Sequence, residues 1–304
     1  MEKKKLKLIT HDGSFHADDI FAAATLVILF ERQGKDFEIV RTRKPELIEA
    51  GDYVFDVGGI HDEATNRFDH HQVGGAGKRS FGNIDIEYAA FGLVWKKFGA
   101  EVCESEKVAE IIEKRLVAPI DAGDNGMSLY DLKSDIGPYT THSLFEGAMK
   151  PTWQEDVALY DEYFLDSVKI AKIVIQREII RARDKIVAEA GVIKCYEEAE
   201  DKRIVILDKE YPIGDVLNAY PEPLFAVSQR RHNDLWSLMT LRADSNEEFK
   251  NRKDLPASWA GLRDEELQKI TGVDDAVFCH RALFLAVAKS KEGAIKLAQI
   301  AVES

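Results

Sequence analysis

Strand-like and helix-like runs alternate through the first third of the chain, and this alternation restricts the fold more than any other feature. LKLIT (residues 6–10) is followed by a helical stretch over about 18–33. FEIVRT (37–42) precedes a helical turn near 45–49, and DYVFDV (52–57) reads as another strand. Helical patterns continue over about 86–98 and 105–117. Strands alternating with helices predict a largely parallel sheet covered on both faces. Ligands of such sheets bind in the crevice beyond the carboxyl ends of the strands. The apolar run IFAAATLVILF (20–30) falls short of the roughly 20 residues of a membrane span and reads as a buried helix.

The texture changes further along. Between about 152 and 190, Val168, Ile170, Ala171, Ile173, Val174, Ile179, Ile180, Ile186 and Val187 recur at helical spacing, predicting one long helix or two abutting ones. After Gly191 come the β-rich runs RIVILD, LFAVSQR and LWSLMTL, with RHND as a hairpin turn between the last two. A helix near 264–271, the runs AVFCH and FLAVAKS, and a closing helix over 291–302 complete the chain. At 304 residues there is room for two domains of about 150 residues each. The expected division is an α/β domain over 1–150, a helical linker over 151–190 and a smaller α+β domain over 191–304.

Forty-one basic residues against 54 acidic ones give a formal net charge of −13. A protein that coats long duplex DNA needs clustered Lys and Arg instead. A small or single-stranded phosphate substrate stays open, because metal ions and a local basic patch can hold it against the mean field. The start MEKKKLKLIT has no apolar h-region, and the three cysteines (Cys103, Cys195, Cys279) form no disulfide or zinc pattern. The expected setting is the reducing cytoplasm.

Several acceptor-rich stretches sit where predicted strands end or helices begin or end. THDGSFHADD offers His11, His16 and Asp18; FDVGG offers Asp56 before two glycines; FDHHQ offers Asp69, His70 and His71; DAGDNG offers Asp121 and Asp124. His142 in PYTTH suggests no role. Singly, each has a bland explanation: Asp18 reads equally well as a helix cap, Asp56 as a turn former, and DNG as a common turn. Together they place metal-competent ligands at crevice-facing positions of one α/β unit. Histidine mixed with carboxylate, without thiolate, suits Mn²⁺, Mg²⁺, Fe²⁺ or Zn²⁺.

These stretches resemble the motifs of the DHH phosphoesterase superfamily, which includes RecJ-type exonucleases, family II inorganic pyrophosphatases and oligoribonucleases. The namesake motif reads Asp69-His70-His71, and the upstream aspartate motif reads Asp56. The first motif is altered to His11 followed by His16-Ala17-Asp18. With FDVGG, DAGDNG and SWAGLRDEEL…FCH…KSKEGA, this resembles the family of the melanocyte-proliferating-gene product, metal-dependent hydrolases whose eukaryotic members are described as RNA exonucleases. The resemblance implies a DHH-type parallel domain, a long linking helix and a smaller α+β substrate domain. It implies two divalent ions, manganese or alternatively magnesium. His11, His16 and Asp56 would bind one, and Asp18, Asp56, His70 and Asp124 the other, with Asp121 an alternative to Asp124. Asp56 would bridge, His71 would face the substrate phosphate, and Asp69 would orient a histidine.

The chain departs from the family after FCH, where His280-Arg281-Ala282-Leu283 replaces a glycine-containing stretch suited to close backbone approach. Arg281, His280, Arg230, Arg231 and His232 are the candidates for substrate charge there, and Lys78 and Arg79 after GGAG are candidate flexible phosphate contacts. The expected activity is phosphodiester cleavage at RNA or short-oligonucleotide ends. The alternatives are hydrolysis of pyrophosphate or a nucleotide bisphosphate, and a non-catalytic metal- or nucleotide-binding module. Membrane association is not expected, and a homo-oligomer is left open.

Overall fold

Parallel pairing organises the N-terminal half of the computed structural model, which describes residues 5–243 and 250–304. Residues 1–4 of the lysine-rich start lie outside them. β1 (Leu6–Thr10) pairs in parallel with β2 (Phe37–Arg41) on one side and β3 (Tyr53–Phe55) on the other. β5 (Arg67–Phe68) continues in parallel beside β3, and β4 (His61–Asp62) closes the edge antiparallel. The order is therefore β2-β1-β3-β5-β4. α2 (Pro45–Glu49) links β2 to β3.

α1 (Ala17–Gln33) is apolar nearly all round, and every residue from Ala17 to Phe30 is buried. It packs against α3 (Ala90–Cys103), with Phe21 5.2 Å from Phe91 and 5.4 Å from Phe145 between ring centroids. Each large side chain so buried contributes about 1.5–3 kcal/mol. The helix stops at Gly34, whose φ of 61° takes the left-handed C-cap conformation.

Two helical expectations shift. Residues 84–87 are not the start of a helix: β7 (Ile84–Glu87) pairs with β6 (Lys78–Phe81) across a two-residue turn with Gly82 at φ 64°. Ile84 and Ile86 follow the period of a strand, and α3 begins only at Ala90. Ser105 caps α4 (Glu106–Ile112) by accepting from the Val108 amide at 3.3 Å. The chain then runs without a break through a π-helical turn (Glu113–Val117) into α5 (Ala118–Asp124). Pro119 has no amide hydrogen to donate, and it lies in the first turn of α5, where the wider spacing of the π turn leads into it. Asp121 and Asp124 consequently lie on a helix rather than after one.

A second π-helical turn (Ser143–Ala148) precedes α6 (Leu159–Glu198), a single 40-residue helix. Gly191 lies inside it, because a Cβ there would meet the Tyr211 ring at 2.6 Å. The chain divides into two units, Met1–Arg183 and Asp184–Ser304, with the division inside α6. The second unit has one sheet of order β11-β12-β10-β9-β8. Its strands are β8 (Ile204–Ile206), β9 (Phe225–Gln229), β10 (Trp236–Thr240), β11 (Ala276–Cys279) and β12 (Leu285–Ala288), of which β8 and β9 pair in parallel and the others antiparallel. Alternation along β9 sends Phe225 and Val227 into a core with Trp259, Leu267 and Leu297, and Ala226 into another with Val192 and Leu217. α7 (Gly214–Leu217), α8 (Asp264–Thr271) and α9 (Lys291–Glu303) cover this sheet. Among the described residues no helix is long and apolar enough to cross a membrane.

Candidate metal centre

Adjacent parallel strands end side by side, so residues just past those ends become neighbours whatever their separation in sequence. His11 follows β1, Asp56 follows β3 and Asp69-His70-His71 follows β5, and these three strands are consecutive in the sheet. α1 and α5 complete the cluster: His16 caps α1, Asp18 and Asp19 lie in its first turn, and Asp124 ends α5. Three groups of ligand atoms, each within 4.8 Å of one another, result: His11, His16 and Asp56; Asp56, His70 and His71; and His16, Asp18 and Asp124. Asp56 stands in two of them.

Asp56 sits where the chain turns sharply, with φ 54° followed by Gly58 and Gly59 at 100° and 69°. Asp tolerates this left-handed region better than most side chains. One carboxylate oxygen lies 3.0 Å from His11 Nε2, and the other 3.3 Å from His70 Nε2. His70 Nε2 is also 3.3 Å from Asp124 and 3.8 Å from Asp18. Asp69 belongs to none of the three groups. It accepts from the amides of Gly59 and His71 and lies 2.8 Å from His71 Nδ1. The histidine that Asp69 holds is thus His71, whose side chain is 63% exposed.

Burial and mutual repulsion govern the charges. Burial, and then the carboxylates of Asp56, Asp124 and Asp19, push Asp18 well above the usual carboxylate range. Burial likewise raises Asp124 and takes Asp19 up to about 7. Burial would raise Asp56 too, but the imidazoles of His11 and His70 beside it outweigh that and hold the group low. Asp18 Oδ1, Asp19 Oδ2, Asp56 Oδ1 and His70 Nε2 are buried without a hydrogen-bond partner. Orphaned buried acceptors of one sign are costly, and a divalent cation answers both the missing partners and the repulsion. The donor set therefore fits hard or borderline divalent ions.

Other singled-out residues are placed elsewhere. Asp121 is fully buried, accepts from Gly92 N at 3.0 Å and from Arg79 at 2.8 Å, and belongs to none of the three groups. Arg79 is consequently not a flexible phosphate contact: its side chain is 8% exposed and clamped between Asp121 and Glu113. Lys78 remains on the hairpin surface, paired with Asp85. His142 pairs with Glu146 at 2.9 Å beside a separate cavity. In the second unit, the β9–β10 turn carrying Arg230, Arg231 and His232 and the β11–β12 turn carrying His280 and Arg281 lie at opposite ends of the sheet, as the strand registers require. They do not form one basic site. Arg230, Arg231 and Lys209 share a cavity of about 930 Å³ with Asp184, Asp208, Glu210 and Asp234, so acids outnumber these bases. His280 packs its ring against Phe284 at 4.4 Å and accepts from the Ala282 amide.

Asp19 and Arg43 escaped the sequence reading. Asp19 accepts from His16 N at 3.0 Å and lies 3.3 Å from His11 Nε2, which fixes both imidazole-bearing residues. Its signal was the doubled aspartate three residues after His16, a capping-box spacing. Arg43 lines a cavity of about 300 Å³ with His11, His16, Asp56, Asp69 and His71. Its signal was its place just past β2, at the same edge of the sheet.

Comparison with known proteins adds the following. The family model MYG1_exonuc, described as an uncharacterised protein family (UPF0160), matches residues 7–302. The MYG1 protein C27H6.8 of Caenorhabditis elegans is 33% identical over 335 aligned positions, covering 97% of this chain and 94% of that protein. The MYG1 protein of Chlamydia muridarum is 32% identical, with 93% and 92% covered, and the human MYG1 exonuclease 28% identical, with 95% and 84% covered. Among solved structures, Mn²⁺-bound RecJ from Thermus thermophilus matches 98% of this chain and 52% of its own at 15% identity, with a TM-score of 0.28, too low to carry an argument.

Proposed function

The chain belongs to the MYG1_exonuc family, and on that premise we propose that it is a metal-dependent hydrolase that cleaves phosphodiester bonds at the ends of RNA or short oligonucleotides. The observation that carries this reading is the convergence of ligand atoms past β1, β3 and β5. The human relative's name, an exonuclease, agrees with it. His11, His16 and Asp56 would hold one divalent ion, and Asp18, Asp56, His70 and Asp124 a second, manganese or alternatively magnesium. When bound, such a pair supplies Lewis-acid charge for the phosphoryl oxygens and a hydroxide-like nucleophile at neutral pH.

The remaining chemistry belongs to this chain's side chains. Asp69 accepts from His71 Nδ1 and fixes the ring, so the doubly protonated imidazolium has its Nε2–H left to donate to a phosphate oxygen. Arg43, 65% exposed and only 3.5 Å from Asp12 at its Nε, offers a guanidinium fork to the same phosphate. Asp19 keeps His11 and His16 in place from behind. Cleavage of a labelled oligoribonucleotide with Mn²⁺ tests this reading, together with the metal content of the purified protein. His70→Ala should lower both; equal cleavage by wild type and variant would defeat the proposal.

A second reading is hydrolysis of a small phosphate compound, favoured by the net charge of −13 and the mixed-charge surface around Arg230 and Arg231. Pyrophosphate hydrolysed in preference to a dinucleotide, side by side with Mn²⁺, would decide for it.

A further inference from the structure

A second cavity is lined at the start of α1 by Ala17. It encloses about 370 Å³ and has Ala17 and Asp124 in its wall. Ala17 lies between two members of the metal cluster, and the Asp124 carboxylate is 3.3 Å from His70 Nε2. Whatever occupies this space therefore adjoins the reacting phosphate.

Its walls differ in chemistry. Pro119, Ile120, Met127, Leu129 and Tyr130 make an apolar side. Met127, Leu129 and Tyr130 remain 37%, 43% and 51% exposed, although a folded chain ordinarily covers such side chains when they cluster. The lining also carries Thr140, Thr141, His142 and Glu146. Glu146 is fixed there, accepting from Ala17 N at 3.3 Å and paired with His142. Gly123 lines the cavity next to Asp124 in sequence, and a Cβ built on it meets no atom within 4 Å.

A flat ring with apolar faces and a polar rim matches these walls. We propose that this cavity receives the unpaired base of the nucleotide whose phosphate lies at the metal centre, stacked on Tyr130 with its edge toward Thr140, Thr141 and His142. The volume is within the range of small-ligand sites, and stacking on one aromatic side chain holds any base without selecting among them. A base inside the cavity cannot remain paired, so the site takes single-stranded ends. This inference rests on the phosphoesterase reading and adds the nucleoside half of its substrate.

Binding to the Mn²⁺-loaded full chain tests it without turnover. Calorimetry with adenosine monophosphate and with ribose 5-phosphate separates the base from the phosphate. The wild type should bind the nucleotide at least about tenfold more tightly. Tyr130→Ala and Gly123→Leu should each bring that ratio close to one. The second adds a side chain into open space on a helix, where replacing glycine favours the fold. Equal affinity of the wild type for both ligands, or a ratio that survives both substitutions, overturns the base site and leaves the phosphoesterase reading standing. Failure of both ligands to bind metal-loaded protein overturns that reading, and the base site with it.

Discussion

The two units bury polar groups in opposite ways. Below 4% exposure the first holds the ionisable side chains of Asp18, Asp19, Asp56, Asp69, Asp121 and His11 beside the hydroxyls of Thr10, Thr25 and Ser167. Among the described residues, the buried polar side chains of the second are Ser228, Ser237 and Thr240. Those serines satisfy one another across β9 and β10, with their hydroxyls 3.3 Å apart. In the first unit, one carboxylate oxygen each of Asp18, Asp19 and Asp56 has no hydrogen-bond partner. A chain gains nothing in stability by burying repelling carboxylates, so the lesson is functional: chemistry resides in the unit that tolerates the cost.

The largest effect expected from this contrast is that of Asp56→Asn. It preserves volume and the left-handed backbone but removes the charge facing both His11 and His70. Activity should fall by more than the roughly 10–100-fold typical of a residue that only touches a ligand. The rise in Tm on adding Mn²⁺ should vanish as well; if that rise persists, Asp56 is not shared between ions.

Comparing two arginines sharpens the point. Arg79→Ala strands Asp121 and Glu113 in the interior and should cost about 3–5 kcal/mol in urea unfolding. Arg231→Ala, on an open turn of the second unit, should change stability by at most about 0.5 kcal/mol. Similar losses for both would erase the distinction between the units. At the metal centre, an effect smaller than that of Asp56→Asn belongs to Asp69→Asn, which keeps a hydrogen-bond acceptor for the Gly59 amide but weakens the hold on His71. A drop of about 10–100-fold in activity with Mn²⁺ stoichiometry retained is expected; loss of metal would make Asp69 a ligand rather than an orienting group.

Much of the architecture was legible because its cues are local. Alternating runs indicated the parallel sheet, and acceptor-rich residues past strand ends indicated which edge to inspect. The helical boundaries were less accurate where neighbouring structure intervened, as at β7 and in the π turn before Pro119. Lys78 and Arg79 looked equally free after GGAG, yet adjacent residues of a strand face opposite ways. Lys78 points to solvent and Arg79 to Asp121.

By itself, then, the sequence determined the α/β class, the family and the short list of metal-competent side chains. These follow from periodicity and motif, which act within a few residues. Only the tertiary structure decided that Asp124 and not Asp121 approaches His70, that Asp69 holds His71, and that the basic turns of the second unit lie at opposite ends of one sheet. Asp121 and Asp124 are one helical turn apart and indistinguishable by spacing. What separates them is Gly92 and Arg79, brought in from 29 and 42 residues away, and such partners are set by packing.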